Sequence, residues 1–286
     1  MKKLLMKLSL KVSRADQQLR FGDFSIRLPH DHLLPVYQRK HPSYDHFLPF
    51  LAGQLEGGTT VIDVGANCGD TVAAMAAKNP HLHYLCIEPD EQFLRYLKSN
   101  VAAMQQVAPR LQIETVAAMV GKDISQASLA GSNGSKHAVP GAGGITTTTL
   151  DTIFAAGQRA PVRLLKSDVD GFDYDVVNSA ADLIRRDRPL IYYECQFFDE
   201  PQRSGFEDLM ASLSDAGYTH WTVFDNFGEV MLTGSEPAQV RQLMAYSWRQ
   251  QQKRATRTIY YYDILAAVPA DAAFVDQVLA AYGARH

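Results

Sequence analysis

Cysteine is scarce in this chain, three residues in 286. Cys68, Cys86 and Cys195 form neither a C-x-x-C pair nor the Cys/His spacing of a zinc site. They point to reduced, buried thiols and a cytoplasmic setting. Net charge is nearly absent too, at −3. The basic residues are dispersed apart from Arg185-Arg186-Asp187-Arg188 and residues 249–257, which argues against nucleic acid as a partner. Long apolar runs are also missing. Residues 1–6 open like a targeting segment, but Lys7 and Lys11 interrupt any apolar core, so neither a signal peptide nor a membrane span is expected. Its lysines and leucines leave peripheral contact with an anionic surface open. Finally, no G-x-G-x-x-G dinucleotide fingerprint follows the first strong strand pattern.

What the chain does have is 46% hydrophobic and 21% charged residues, enough for one large α/β domain with an extension. Residues 1–56 read as that extension. Alternation over residues 21–28 predicts a hairpin, and apolar positions at helical spacing over 44–55 predict a helix. Residues 57–286 read as the main domain. Strand patterns at 59–64, 83–87, 111–119, 162–168, 189–194, 218–224 and 258–267 alternate with helical ones, such as 90–104. The expected fold is Rossmann-like and doubly wound, with a mostly parallel seven-stranded sheet. Its last strand is antiparallel, because too little chain remains for another crossover. Residues 121–149, rich in Gly, Ser, Thr and Ala, read as a long loop near the active face.

The densest signal is Val61-Ile62-Asp63-Val64-Gly65-Ala66-Asn67-Cys68-Gly69-Asp70, a strand, a glycine turn and a helix start in one run. Gly65 and Gly69 permit a tight turn and a close ligand approach. Glu88 ends the next apolar run, where a carboxylate can accept both hydroxyls of a ribose. Asp63 before the turn would repel a pyrophosphate, whereas S-adenosylmethionine brings an ammonium and a sulfonium. The predicted cofactor is therefore S-adenosylmethionine, held by Asp63, Gly65, Ala66, Asn67, Gly69, Asp70, Thr71, Glu88 and Pro89.

In open α/β sheets ligands sit outside the carboxyl ends of the strands, so Asp63, Glu88, Asp168, Asp170 and Glu194 are expected to converge on one rim. Asp168 and Asp170 suit a general base, acceptors of substrate hydrogen bonds, or, with Glu194, ligands for a divalent cation such as magnesium. A purely structural reading, with Asp170 or Asp173 capping the next helix, stays open beside these.

The turn at 63–70, Glu88-Pro89, Thr149-Leu150-Asp151, Leu165-Lys166-Ser167-Asp168-Val169-Asp170-Gly171 and Tyr193-Glu194 together resemble the FkbM-family methyltransferases, over roughly residues 59–200. Ser167, and Asp170 in place of a frequent glutamate, depart from the commoner family pattern. Leu34-Pro35-Val36-Tyr37 and His41-Pro42 are similar to members found with surface-polysaccharide genes. The resemblance implies a class I S-adenosylmethionine-dependent enzyme that O-methylates a hydroxyl of a sugar, a glycan or a glycan precursor. The chemistry so implied is an in-line displacement needing a base. Candidates are Asp168, Asp170 and His137, with Lys166 placed to polarise or pair with a carboxylate. A lipid, polyketide or peptide acceptor, and a non-catalytic scaffold that binds cofactor or glycan, are the competing readings.

Overall fold

The computed structural model describes residues 15–122, 126–132, 135–141, 144–253 and 258–284. It opens with a hairpin of β1 (Gln17–Phe21) and β2 (Phe24–Leu28), closed by Gly22-Asp23 with Phe21 opposite Phe24. Strict alternation buries Phe24, Ile26 and Leu28 and leaves Ser25 and Arg27 outside. Two short helices follow, α1 (Leu34–Lys40) and α2 (Phe47–Ala52), the second buried along its whole length.

The main sheet has eight strands, in the order β13-β12-β14-β11-β10-β3-β4-β5. At its centre β3 (Thr60–Val64) lies parallel to β4 (His83–Ile87) on one side and to β10 (Val162–Ser167) on the other. All five residues of β3 are buried, as a β-branched run covered on both faces should be. β5 (Gln112–Val116) extends the sheet beyond β4, and β11 (Leu190–Cys195) lies beside β10. β14 (Tyr262–Ala267) then inserts antiparallel between β11 and β12 (His220–Asp225). The chain leaves β3 in one direction toward β4 and β5, and later returns to its other side at β10. The switch point therefore lies above β3 and β10, where a doubly wound sheet opens a crevice.

Helices cover both faces. On one, α3 (Asp70–Lys78), α4 (Glu91–Val107) and α10 (Pro269–Gly283) pack with the hairpin and α2. On the other lie α5 (Leu150–Ala155), α6 (Asp173–Asn178), α7 (Ala181–Asp187), α8 (Glu200–Asp215) and α9 (Pro237–Gln252). Asp90 starts α4 by accepting from the N–H groups of Gln92 and Phe93, the side-chain cap that an Asp before an amphipathic run predicts. Among the described residues no helix is long and apolar enough to cross a membrane.

Two parts of the architecture differ from expectation. The described part of 121–149 is largely strand: β6 (Met119–Val120), β7 (Gln126–Ser132), β8 (Ser135–Pro140) and β9 (Ile145–Thr148) build a second sheet, in the order β6-β9-β7-β8. Small residues make this ladder close. A Cβ on Gly144 would stand 1.8 Å from the Ala127 carbonyl oxygen, so the composition that reads as loop is what the pairing needs. The second difference is an eighth strand, β13 (Val230–Ser235), antiparallel to β12. Asp225 Oδ1 accepts the Phe227 and Glu229 N–H groups and so closes the β12–β13 turn, and mostly exposed side chains give the edge strand little apolar pattern.

Asn100 ties the hairpin to the cofactor-type loop. Its Nδ2 donates to the Arg27 and Cys68 carbonyls at 2.9 and 2.8 Å, and its Oδ1 accepts the Arg27 N–H at 2.9 Å, all while 2% exposed. Asn100→Ala leaves these backbone groups without partners. The expected loss is about 2–4 kcal/mol, read by urea unfolding; a loss under about 0.5 kcal/mol would show the hairpin to be held by packing alone.

Candidate active site

Above the switch point the loop after β3 is shaped by left-handed backbone. Gly65, Asn67 and Gly69 have φ of 76, 48 and 87°. Gly65 and Ala66 donate to the Ile87 carbonyl at 3.0 and 3.1 Å, which fastens the loop to the end of β4. No side chain fits at Gly65, since its Cβ would lie 2.0 Å from the Asp168 carbonyl oxygen. The loops after β3 and β10 thus touch backbone to backbone.

Glu88 sits one residue beyond β4, 5% exposed. Its Oε2 accepts the Asn67 N–H and its Oε1 the Asp90 N–H, each at 2.8 Å. These two bonds orient the carboxyl group and leave each oxygen a free lone pair. Burial pushes its pKa up to about 7, against the pull of the two N–H groups.

A cleft of about 1760 Å³ runs along this rim. Gly65, Asn67, Asp70, Thr71, Glu88 and Pro89 line it, and beyond Glu88 its wall is apolar, with Phe93, Ala118, Met119 and Val120. The second sheet reaches over this end: Lys136 Nζ pairs with Asp90 Oδ2 at 2.6 Å and lies 5.1 Å from the centre of the Phe93 ring. His32, buried, places Nε2 3.4 Å from Asn67 Oδ1. Gln17 holds the preceding turn through the carbonyls of Pro29, His30 and His32.

The other end of the cleft centres on Lys166. Its ammonium, 3% exposed, lies 2.8 Å from Asp63 Oδ1 and 3.7 Å from Asp168 Oδ2, and donates to the Gly65 carbonyl at 3.3 Å. Burial opposes this charge, but Asp63 and Asp168 outweigh it and hold the group above the ordinary lysine range. Burial likewise pushes Asp63 up, with Lys166 pulling it back. Asp168, its side chain 53% exposed, faces the open cleft. Asp173 is fully buried beneath it. Its Oδ1 accepts from Ser167 Oγ at 2.6 Å and the Val169 N–H at 3.2 Å, and its Oδ2 from the Gly171 N–H at 3.4 Å, so it braces the turn in which Asp170 and Gly171 have φ of 55 and 100°.

The family model for the methyltransferase FkbM domain matches residues 63–219, which begins at Asp63 and spans the turn, Glu88 and the Lys166 segment. The chain belongs to the FkbM methyltransferase family. No curated protein matches it in sequence. Similar solved structures include methyltransferase FkbM from Methylobacillus flagellatus KT, 15% identical over 55% of this chain and 39% of that one, with a TM-score of 0.39. A human methyltransferase 10 domain containing protein is 13% identical over 93% of this chain and 94% of its own, with a TM-score of 0.44. A precorrin-6y C5,15-methyltransferase from Geobacter metallireducens GS-15 is 9% identical over 77% and 84%, with a TM-score of 0.40.

Within this family frame, several sequence expectations are relocated. Asp63, Ala66 and Gly69 lie behind the cleft wall; Asp63, fully buried, faces Lys166 rather than a ligand. The proposed cation site of Asp168, Asp170 and Glu194 is not formed, since among the described residues no three His, Cys, Asp or Glu side chains converge as metal ligands would. Lys166 already supplies a positive charge beside Asp168. His137 lies on β8 opposite Ala130 in the second sheet; its side chain is outside the described residues. Sequence reasoning missed Tyr44, Tyr192, Tyr261 and Asp263, all of which line the cleft. The available signal was strand direction: β14 runs antiparallel, so its beginning, not its end, meets the rim.

Lys166→Met removes the cation against which Asp63 is buried. The expected cost is about 3–5 kcal/mol. Adding Asp63→Asn should recover most of it, because the orphaned charge is then gone, and unfolding of the two single variants and the double variant checks this coupling.

Proposed function

We propose that the chain transfers a methyl group from S-adenosylmethionine to a hydroxyl of a sugar, a glycan or a glycan precursor. The observation that carries this reading is a single cleft with two chemically different ends. One end offers an oriented carboxyl, Glu88, next to an apolar wall; the other offers Asp168 with an ammonium at 3.7 Å.

The donor set fits the cofactor. Glu88 retains acceptor capacity for two ribose hydroxyls, and Phe93, Ala118, Met119 and Val120 give a flat apolar base somewhere to lie. Gly65, Asn67, Asp70 and Thr71 bound the intervening stretch, and Asp70 supplies negative charge toward an ammonium. When bound, the cofactor supplies a methyl group on a positively charged sulfur. Asp168 is the base in this reading: it takes the acceptor hydroxyl proton, with the Lys166 ammonium 3.7 Å from its Oδ2. Asp173, by bracing residues 167–171, fixes where that carboxylate stands. Alignment of the hydroxyl supplies the larger share of the rate.

A hydroxyl-rich acceptor suits the remaining lining. Carboxyl groups accept hydroxyl protons, and Tyr44, Tyr261 and the stacked pair of His41 and Phe227, with centroids 4.4 Å apart, offer ring faces to the apolar side of a sugar.

Two measurements test this. In calorimetry the chain should bind S-adenosylmethionine and S-adenosylhomocysteine but not NAD, and Glu88→Ala should weaken both by at least about tenfold. Asp168→Asn should leave that binding intact and lower turnover of an accepted hydroxyl by about 10²–10⁴-fold. Unchanged affinity in Glu88→Ala would remove Glu88 from the cofactor site. The pH dependence has a definite sign. Ribose hydroxyls bind the ionised form of Glu88, whose free pKa is raised to about 7, so S-adenosylhomocysteine affinity should fall as pH drops below that value. The limiting slope is about tenfold per unit, and Glu88→Gln should flatten it.

A further inference from the structure

The Asp168 end of the cleft gathers two further acids, Glu194 and Asp263, of which Asp263 is hydrogen-bonded by the Tyr192 side chain. Glu194 on β11 stands directly opposite Asp263 on β14 in an antiparallel ladder, so both side chains leave the same face of the sheet. Acidic residues directly opposed in this way destabilise a sheet unless something bridges them. Asp168 adds a third acid that acts on both.

Glu194 carries the argument further. It is 6% exposed and lines the cleft, yet its Oε2 has no hydrogen-bond partner among the described residues. The contrast with Glu88, which has a backbone donor on each oxygen, is direct. Burial and then Asp168, Asp170, Asp173 and Asp263 all push Glu194 well above the usual carboxylate range, so a cation seated beside it would be met by loss of the proton it holds. Lys166 is not that donor, because it is already shared between Asp63 and Asp168. Lys136, another lysine of the cleft wall, is held by Asp90 near Glu88. A neutral hydroxyl would give Glu194 a hydrogen bond but leave the two acids without a counter-charge that lets them ionise. An ammonium answers both, and the neighbouring rings of Tyr44 and Tyr261 would favour it further.

We propose that Glu194 and Asp263 form a subsite for a protonated amine on the acceptor, so that the methylated hydroxyl belongs to an amino-bearing sugar or cyclitol. The inference rests on the methyltransferase reading above and narrows its substrate class.

The test uses the full chain loaded with S-adenosylhomocysteine, titrated by calorimetry with a glucosamine trimer and with cellotriose, which carries hydroxyls where the first carries ammonium groups. The amine trimer should bind at least about tenfold more tightly at low salt, and the preference should shrink as salt screens it. Binding should also release protons to the buffer, read from enthalpies in buffers of different ionisation heat. Glu194→Gln and Asp263→Asn should each erase most of the preference while S-adenosylhomocysteine affinity stays unchanged. At alkaline pH, where both acids ionise, relief of their repulsion should also raise the Tm of ligand-free Glu194→Gln, which a purely structural glutamate would not do. Equal binding of the two trimers, no saturable binding of the amine trimer, or a preference that survives both substitutions overturns the subsite. Should S-adenosylhomocysteine itself not bind, the methyltransferase reading falls instead; cofactor binding without an amine preference overturns only the narrower claim.

Discussion

One buried ammonium sets the terms for the whole rim. Lys166 on β10 is in register with Asp63 on β3 and with Tyr192 on β11, so it stands in the central layer of the sheet, at its carboxyl end. Strands buried on both faces ordinarily end in apolar residues, and a carboxylate there is expensive unless paired. With Lys166 in place, β3 holds an acid in its interior and the turn after β10 carries two more. A buried ion pair of this kind adds little net stability compared with apolar residues of the same volume. What it contributes is charge placement: an acid, Asp168, kept beside a cation at the mouth of the crevice.

This dependence explains which site features could be read from the chain. The 63–70 turn was legible because left-handed backbone demands particular residues, and Gly65 and Gly69 occupy two of the three positions with positive φ there. Glu88 was legible because an acid just past a strand has few other uses. Asp63 was read toward the ligand, and here the sequence misleads for a definite reason. Which side of β3 faces which neighbour depends on register with β10, and register lives in contacts more than 100 residues apart, as in the Lys166–Gly65 bond with its separation of 101. Asp173 shows the same limit. Three residues past Asp170 it looks like a helix-capping residue, and only the folded turn reveals that its carboxylate points back to Ser167, Val169 and Gly171.

The fold itself was legible wherever apolar pattern was strong. The parallel strands β3, β4, β10 and β11 and the capped helix α4 all lie where periodicity puts them. Two parts were not. Strands β7, β8 and β9 pair in a segment whose composition imitates a loop, and β13 is an edge strand whose exposed side chains need no apolar alternation. Both sit where burial is slight, and burial is what writes a pattern into sequence. The consequence for the site is direct. Leu129, Lys136 and Thr147 come from the second sheet and line the cleft, so its wall is partly built from the segment that reads as loop.

The two ends of the cleft differ in how their acids are satisfied, and that difference bears on what each end is for. Glu88 is held by two backbone donors that any occupant leaves undisturbed, so its geometry exists before a ligand arrives. Such an end suits a molecule that is always the same, as a cofactor is. At the far end Glu194 and Asp263 face each other across a ladder, and Glu194 keeps a buried oxygen without a donor. A protein that needed Glu194 only for folding would have supplied that donor from its own chain, as it did for Asp173 with Ser167 and for Asp263 with Tyr192. Stability is left unclaimed at the acceptor end while two apolar cores, one on each face of the sheet, hold the fold together. Strain of this kind persists where a ligand, rather than the chain, completes the arrangement.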